Sequence, residues 1–310
     1  MSETNQFVAP VYNLIASPAF ASDQTLFAAR ASGLYRSTDG GQSWHDAFAS
    51  LQSPEPLPAS WVALSPDFEQ DRQVFAAAPG GVLRSDDGGQ TWTAALLPTP
   101  APFIAALALS PSYAADNLIF AATMEDGVFR SADRGARWTA WNFGLFDLHV
   151  YCAALSPDFG HDQTVYVGTE SGIFRSLNGG RGWREIDFPV EHAPVLSLAL
   201  SPNFAADHLI FAGTEAAGLF RSDDAGQTWE QALPVEQVGS VNAVICLTPT
   251  DVLALGDETL LISRDAGKSW QPWRDGLQFE DQLMCLAAPQ GIEPGAPLWV
   301  GLANGEILPA

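Results

Sequence analysis

One eight-residue pattern constrains this chain more than any other feature. Ser-x-Asp-x-Gly-x-x-Trp occurs at Ser37, Ser85, Ser131, Ser222 and Ser263, and a sixth copy at Ser176 carries Asn178 where the others have Asp. Successive copies lie about 45 residues apart, the period of a repeat architecture built from one supersecondary unit per copy. A Ser and an Asp so close together would suit a catalytic loop if they occurred once. Repeated six times, they are folding elements. Asp39, Asp87, Asp133, Asn178, Asp224 and Asp265 are therefore expected to hold turns, with Ser37 and its equivalents bonding turn amides and Gly41 and its equivalents supplying positive φ. Trp44, Trp92, Trp138, Trp183, Trp229 and Trp270 are expected to bury an indole between units.

The full unit reads SPDFEQDRQVFAAAPGGVLRSDDGGQTW from Ser65, with relatives beginning at Ser17, Ser110, Ser156 and Ser201. A strand of small apolar residues reaches Ser-Pro, then a second strand, a Gly, a third strand, the Ser-x-Asp turn and a fourth strand opened by Trp. Four short strands in a unit of this length predict a propeller blade. The innermost strands YNLIAS, WVALS, AALALS, YCAALS, LSLALS, NAVICLT and LMCLAA number seven. The expected fold is thus all-β, one seven-bladed propeller over residues 1–310. The sixth unit has lost Ser-Pro-x-Phe-x-x-Asp and the seventh ends after its third strand. An unpaired sheet edge is an aggregation hazard, so the N-terminal residues around Asn5 to Val8 are expected to complete the last blade.

The net charge of −22, from 36 acids against 14 bases, excludes a basic nucleic-acid or anionic-membrane surface. Ten acids recur at fixed repeat positions: the five box aspartates, and Asp23, Asp71, Asp116, Asp162 and Asp207 of the Ser-Pro segments. The remaining acids still outnumber the bases, so the excess is surface charge, compatible with a basic protein partner or with solubility alone. No apolar run is long enough to span a membrane. MSETNQFVAP has neither the basic start nor the apolar stretch of a secretory signal, which points to the cytoplasm. Cys152, Cys246 and Cys285 form no Cys-x-x-Cys pair and are expected as buried thiols. His45, His149, His161, His192 and His208 lack ligand spacing, so neither a metal nor another cofactor is expected.

The repeated box and its Ser-Pro partner resemble the Asp-box, or BNR-repeat, propellers over nearly the whole chain. That family includes sialidases and other glycoside hydrolases, sortilin-type receptors, and photosystem II stability and assembly factors, and its fold does not choose among them. A sialidase likeness implies an arginine cluster, a Tyr nucleophile with an acidic partner, and an acid catalyst. Here Arg36, Arg84, Arg130, Arg175 and Arg221 all fill one slot before the box, and Tyr35, Tyr113 and Tyr166 occupy strand or repeat positions. Asp-box glucanases imply two propellers with a cleft between them, whereas this chain has room for one. The expected function is non-enzymatic: an interaction scaffold or assembly factor for another protein, with no catalytic residue. The alternative is a carbohydrate-binding or glycoside hydrolase propeller with two carboxylates facing each other across a pocket.

Propeller ligands usually dock on the face that carries the loops between blades and between second and third strands. On that face MEDG, TESG, TEAAG and GDET place Glu125, Glu170, Glu215 and Asp257 at comparable slots on successive blades. Two readings stand open: an acidic arc around the channel mouth that receives a basic segment or a cation, and four solvated loop acids in a chain that is acidic throughout. WNFGLFDLH and WRDGLQFED, which lie between blades, add Phe143, Phe146 and Arg274 as interface candidates.

Overall fold

The computed structural model describes residues 9–98, 103–274, 277, 279–292 and 295–310, and it is a seven-bladed β-propeller. Blade 1 pairs Val11–Ala16, Leu26–Arg30, Gly33–Ser37 and His45–Asp46 in chain order, each strand antiparallel to the last. Blades 2 to 6 repeat this order without a crossover. Among the described residues the seventh sheet holds Leu283–Ala287, Trp299–Leu302 and Ile307–Pro309. The expected closing strand around Asn5 to Val8 lies outside the described residues. Ala9, just after it, sets its carbonyl against Gly305 of the seventh blade, the relation that Leu233 of the outer strand has to Gly218 in blade 5.

The joints between blades are aromatic and repeat around the ring. The second-strand ring of one blade meets the Ser-Pro-x-Phe ring of the next edge to face: Phe27 with Phe68, Phe75 with Tyr113, Phe120 with Phe159, and Tyr166 with Phe204. Trp299 of blade 7 meets Phe20 of blade 1 at 5.0 Å between ring centroids, which closes the ring with the same joint. Blade 6, lacking the Ser-Pro segment, offers Phe211 its Trp270 instead. Such pairs contribute beyond the area they bury, by about 0.5–1.5 kcal/mol each.

Each Ser-Pro segment forms a one-turn helix, an element the sequence pattern did not announce. In blade 1 the helix is Phe20–Asp23, and Ser17 Oγ accepts the Ala19 amide while donating to Asp23 at 2.7 Å. Asp23 also accepts the Thr25 amide at 2.9 Å, so one carboxylate ties the helix to the next strand. Gln24 ends the helix in the left-handed conformation. Asp71, Asp116, Asp162 and Asp207 repeat these bonds.

The boxes occupy the turns between third and fourth strands on the same face as these helices. Ser37 Oγ donates to Asp39 at 2.7 Å and accepts the Gly41 amide at 2.9 Å, and Asp39 accepts both the amide and hydroxyl of Ser43. Gly41, at φ +85°, lies so close to Trp299 that a Cβ would sit 2.9 Å from the indole nitrogen. Its equivalents Gly89, Gly135, Gly180 and Gly267 lie against Phe27, Phe75, Phe120 and Phe211 of the preceding blade. The glycine therefore serves two needs: a left-handed turn and room for a neighbouring ring. In the variant box Asn178 accepts Ser176 Oγ and the Gly182 amide at 2.9 Å each. Position 182 is Gly where the boxes at Asp39, Asp87, Asp224 and Asp265 have Ser or Thr, whose hydroxyl donates to the second carboxylate oxygen. An amide has no second acceptor oxygen there, so the loss of the hydroxyl matches the loss of charge.

The tryptophans divide between two roles. Trp92 and Trp183 send their indole N–H to carbonyls of the preceding unit, Ala47 and Trp141, whereas Trp138 and Trp270 bond back to their own box. Trp44, Trp229 and Trp270 are only half-buried. The repeated arginines are also structural: Arg84, Arg175 and Arg221 donate to the carbonyls of Arg134, Ala225 and Ala266 in the following box.

Candidate functional site

Blade topology fixes what each face displays. With helices and boxes at one end of every sheet, the loops between blades and those between second and third strands share the opposite end. On this loop face, between blades 3 and 5, lies a groove of about 640 Å³ lined by Glu125, Phe146, Asp147, Leu148, His149, Glu170, Glu185 and His192, among others. Glu125 and Glu170 come from equivalent loops of blades 3 and 4, and Phe146 to His149 from the connection between those blades. Phe146 is 86% exposed and Leu148 is also exposed, so the groove joins an apolar ridge to an acidic floor.

The connection is held by backbone bonds and by the Asp147 carboxylate. The Leu148 carbonyl accepts the Gly127 amide at 2.9 Å, and the His149 carbonyl accepts the Glu170 amide at 3.1 Å. Asp147 accepts the Ser171 amide at 2.8 Å through one oxygen and the His149 amide at 3.0 Å through the other. Partial burial would raise the Asp147 carboxyl, but hydrogen bonds from His149, Ser171 and Thr169 outweigh it and hold the group below the usual carboxylate range. The His149 Nδ1 lies 3.3 Å from Asp147 and 3.4 Å from Glu170.

Glu215 belongs to the same field. Its amide bonds the Pro194 carbonyl on the connection between blades 4 and 5. Burial first, then the charges of Glu170, Asp147 and Glu215, pushes the Tyr151 phenol above its ordinary value, so one aromatic on the innermost strand of blade 4 senses all three acids. Asp257 is placed differently: its carboxylate accepts the Ser240 amide at 3.0 Å and the Gln282 side-chain amide at 3.2 Å, tying together the connections on either side of blade 6. Phe143 is 83% exposed, but it lies beside Gly182 of the blade 4 box and outside the groove. Arg274 is exposed with its guanidinium over Trp273, also away from the groove. The structure thus gathers Glu125, Glu170 and Phe146 in one groove, sets Glu215 on the neighbouring loop, and separates Asp257, Phe143 and Arg274.

Spacing between histidines along the chain does not mark Asp147 and His149. The signal was the Asp-x-His of FDLH, directly upstream of a blade whose loop carries Glu170. The central channel differs in character. Its cavity of about 430 Å³ is lined by innermost-strand residues including Tyr12, Asn13, Trp61, Asn242, Ile245 and Met284, and no carboxylate is among its described lining residues.

Comparison with known proteins agrees with this architecture. The BNR/Asp-box repeat family matches residues 35–46 and 83–94, the first two boxes. No curated protein matches the chain by sequence. Among solved structures, the GH74 xyloglucanase of Xanthomonas campestris superposes with a TM-score of 0.75 at 19% identity, covering 96% of this chain and 51% of that one. This chain therefore spans about half of the xyloglucanase. YCF48 from Cyanidioschyzon merolae gives 0.68 at 18% identity over 97% of this chain and 95% of its own. A structure of YCF48 bound to D1 peptide gives 0.71 at 17% identity, covering 97% of this chain and 93% of that one. At these identities the likeness is one of fold: the chain is a seven-bladed propeller whose first two boxes match the BNR/Asp-box repeat.

Proposed function

We propose that this propeller is a non-enzymatic docking scaffold or assembly factor whose loop face, over blades 3 to 5, receives a segment of a partner protein that carries basic side chains. The observation that carries this reading is the groove in which exposed Phe146 and Leu148 border Glu125, Asp147 and Glu170. Apolar contact anchors a segment and the acids select its charge. No lysine or arginine is among the groove's described lining residues. Two further points support the reading: a full-length structural likeness to YCF48, which has been solved bound to D1 peptide, and the absence of carboxylates from the described lining of the central channel. The reading puts the protein in the cytoplasm, where its three unpaired thiols would stay reduced. A glycan-binding or glycosidase role is the competing reading, and its support is the fold shared with the xyloglucanase.

The test is a peptide-display selection on the purified propeller in EDTA, with an oligosaccharide array run in parallel. The expected result is enrichment of segments pairing Lys or Arg with an aliphatic or aromatic residue. Their binding should weaken with salt and fall at least about tenfold in the combined Glu125→Gln, Glu170→Gln, Glu215→Gln variant. Peptides that bind this variant as well as the wild type would refute the docking reading. An array that retains oligosaccharides while the selection enriches nothing would favour the carbohydrate reading.

A further inference from the structure

We propose that Asp147, His149 and Glu170 form a site for one divalent transition-metal ion, with zinc the best fit, on the loop face between blades 3 and 4. This inference does not depend on the docking reading. The donor atoms are already spaced for such an ion. Zinc takes imidazole nitrogen and carboxylate oxygen at about 2.0–2.2 Å in tetrahedral geometry, which puts neighbouring donors about 3.3–3.5 Å apart. His149 Nδ1 lies 3.3 Å from an Asp147 oxygen and 3.4 Å from a Glu170 oxygen, so two edges of the tetrahedron are present. The third edge, Asp147 to Glu170, is within 4.8 Å, and rotation of the half-exposed Glu170 side chain shortens it.

Backbone amides and carbonyls hold the three ligands in place. Asp147 is fixed by the Ser171 amide, and the backbone of His149 is bonded to both Asp147 and Glu170, so the connection and the blade 4 loop form one rigid corner. Groups that lock a ligand's orientation in this way typically matter 10–100-fold for metal affinity. Two carboxylates are held close together there in a groove whose described lining includes no Lys or Arg. A divalent ion relieves their repulsion. The imidazole favours zinc, cobalt or nickel over magnesium and calcium, which prefer oxygen ligands alone. Two carboxylates neutralise the ion, so Glu125 and Glu185 keep the groove acidic, and a fourth position faces water or a donor from a bound partner.

Calorimetric titration of tag-free protein with Zn²⁺ tests the site, together with Co²⁺ absorption as a reporter of tetrahedral coordination. The expected result is one Zn²⁺ per chain with a Kd in the micromolar range or tighter, roughly, and no comparable binding of Mg²⁺ or Ca²⁺. His149→Ala and Glu170→Gln should each weaken Zn²⁺ at least about tenfold. His161→Ala serves as the control, because His161 also meets an aspartate, Asp158, but on the box face. Zn²⁺ should raise the Tm of the wild type and the control, and leave His149→Ala unmoved. Equal Tm values in EDTA show that all variants fold. A Kd weaker than about 1 mM, equal binding by His149→Ala, or equal affinity for Ca²⁺ overturns the assignment.

Discussion

The two faces of the ring follow opposite rules. On the box face six blades solve one problem with nearly the same residues: a Ser-Asp pair, Ser-Asn in blade 4, bonds the turn, a left-handed Gly admits a neighbouring side chain, and in blades 2, 4 and 5 an Arg reaches the following box. On the loop face the slots are equivalent but their occupants diverge. Glu170 meets a histidine, Asp257 is consumed by backbone and Gln282, and Glu125 borders an exposed Phe. Repetition marks what the ring needs in order to close. Departure from repetition, where bonded neighbours hold it in place, marks what the molecule can use.

The comparison breaks most visibly at the joints. Phe120 is fully buried, meets Phe159 edge to face and lies against Gly180 of the next box. Phe120→Ala is expected to cost about 3–5 kcal/mol, the range for an aromatic removed from a core, and chemical denaturation measures it. Gly180→Ala should cost about 1–3 kcal/mol, because the added Cβ is strained at φ +87° and would sit 3.0 Å from Phe120. If Gly180→Ala instead left stability unchanged, the claim that these glycines accommodate neighbouring rings would fail.

The box face was legible in the sequence because its chemistry is local. Ser, Asp and Gly bond one another within the box, so spacing revealed their turn role and the period revealed the blades, whereas the partners of Trp92 and Trp183 lie in the preceding unit. The one-turn helices were not legible: four residues are too few to show a helical period, although Ser17 and Asp23 are bonded across them. The Asp147–His149–Glu170 corner depends on two loops separated by a whole innermost and second strand, and only pairing brings them together. Asp257 looked equivalent to Glu170 by position, yet its partners Ser240 and Gln282 lie in flanking connections that the repeat does not specify.

Acid sharpens the contrast in a graded way. Hydrogen bonds from the Ser43 hydroxyl, then from its amide and Ser37, hold the Asp39 carboxyl at about 2, against an ordinary value of 3.8, and Asp265 behaves alike through Ser269. At Asp87 and Asp224 slight burial pushes upward first, but the same bonds outweigh it and the groups again ionise at about 2. Each folded value is depressed, so the stabilisation is complete above the unfolded value near 4 and is lost as pH falls through 2. Denaturation midpoints should therefore drop between about pH 4 and pH 2. Asp87→Asn, which imitates the neutral box at Asn178, should be less stable at pH 6 and show a shallower drop. A drop of unchanged steepness would mean that other carboxylates set the acid limit.

The smallest stability effect belongs to the loop face. Phe146 is 86% exposed and Glu215 is also exposed. Phe146→Ser and Glu215→Gln should each change stability by no more than about 0.5 kcal/mol, the usual span for surface substitutions. Removing an acid from this field can even stabilise slightly, since it lowers the mutual repulsion of the neighbouring carboxylates. The same two changes should nevertheless weaken a peptide selected on the wild-type groove, with Phe146→Ser slowing nothing in assembly but speeding dissociation. That pairing of unchanged Tm with lost binding is the reverse of what any box-face substitution can produce. If Phe146→Ser destabilised the ring as Gly180→Ala does, the exposed ring would be a folding element, and the division of labour between the faces would not hold.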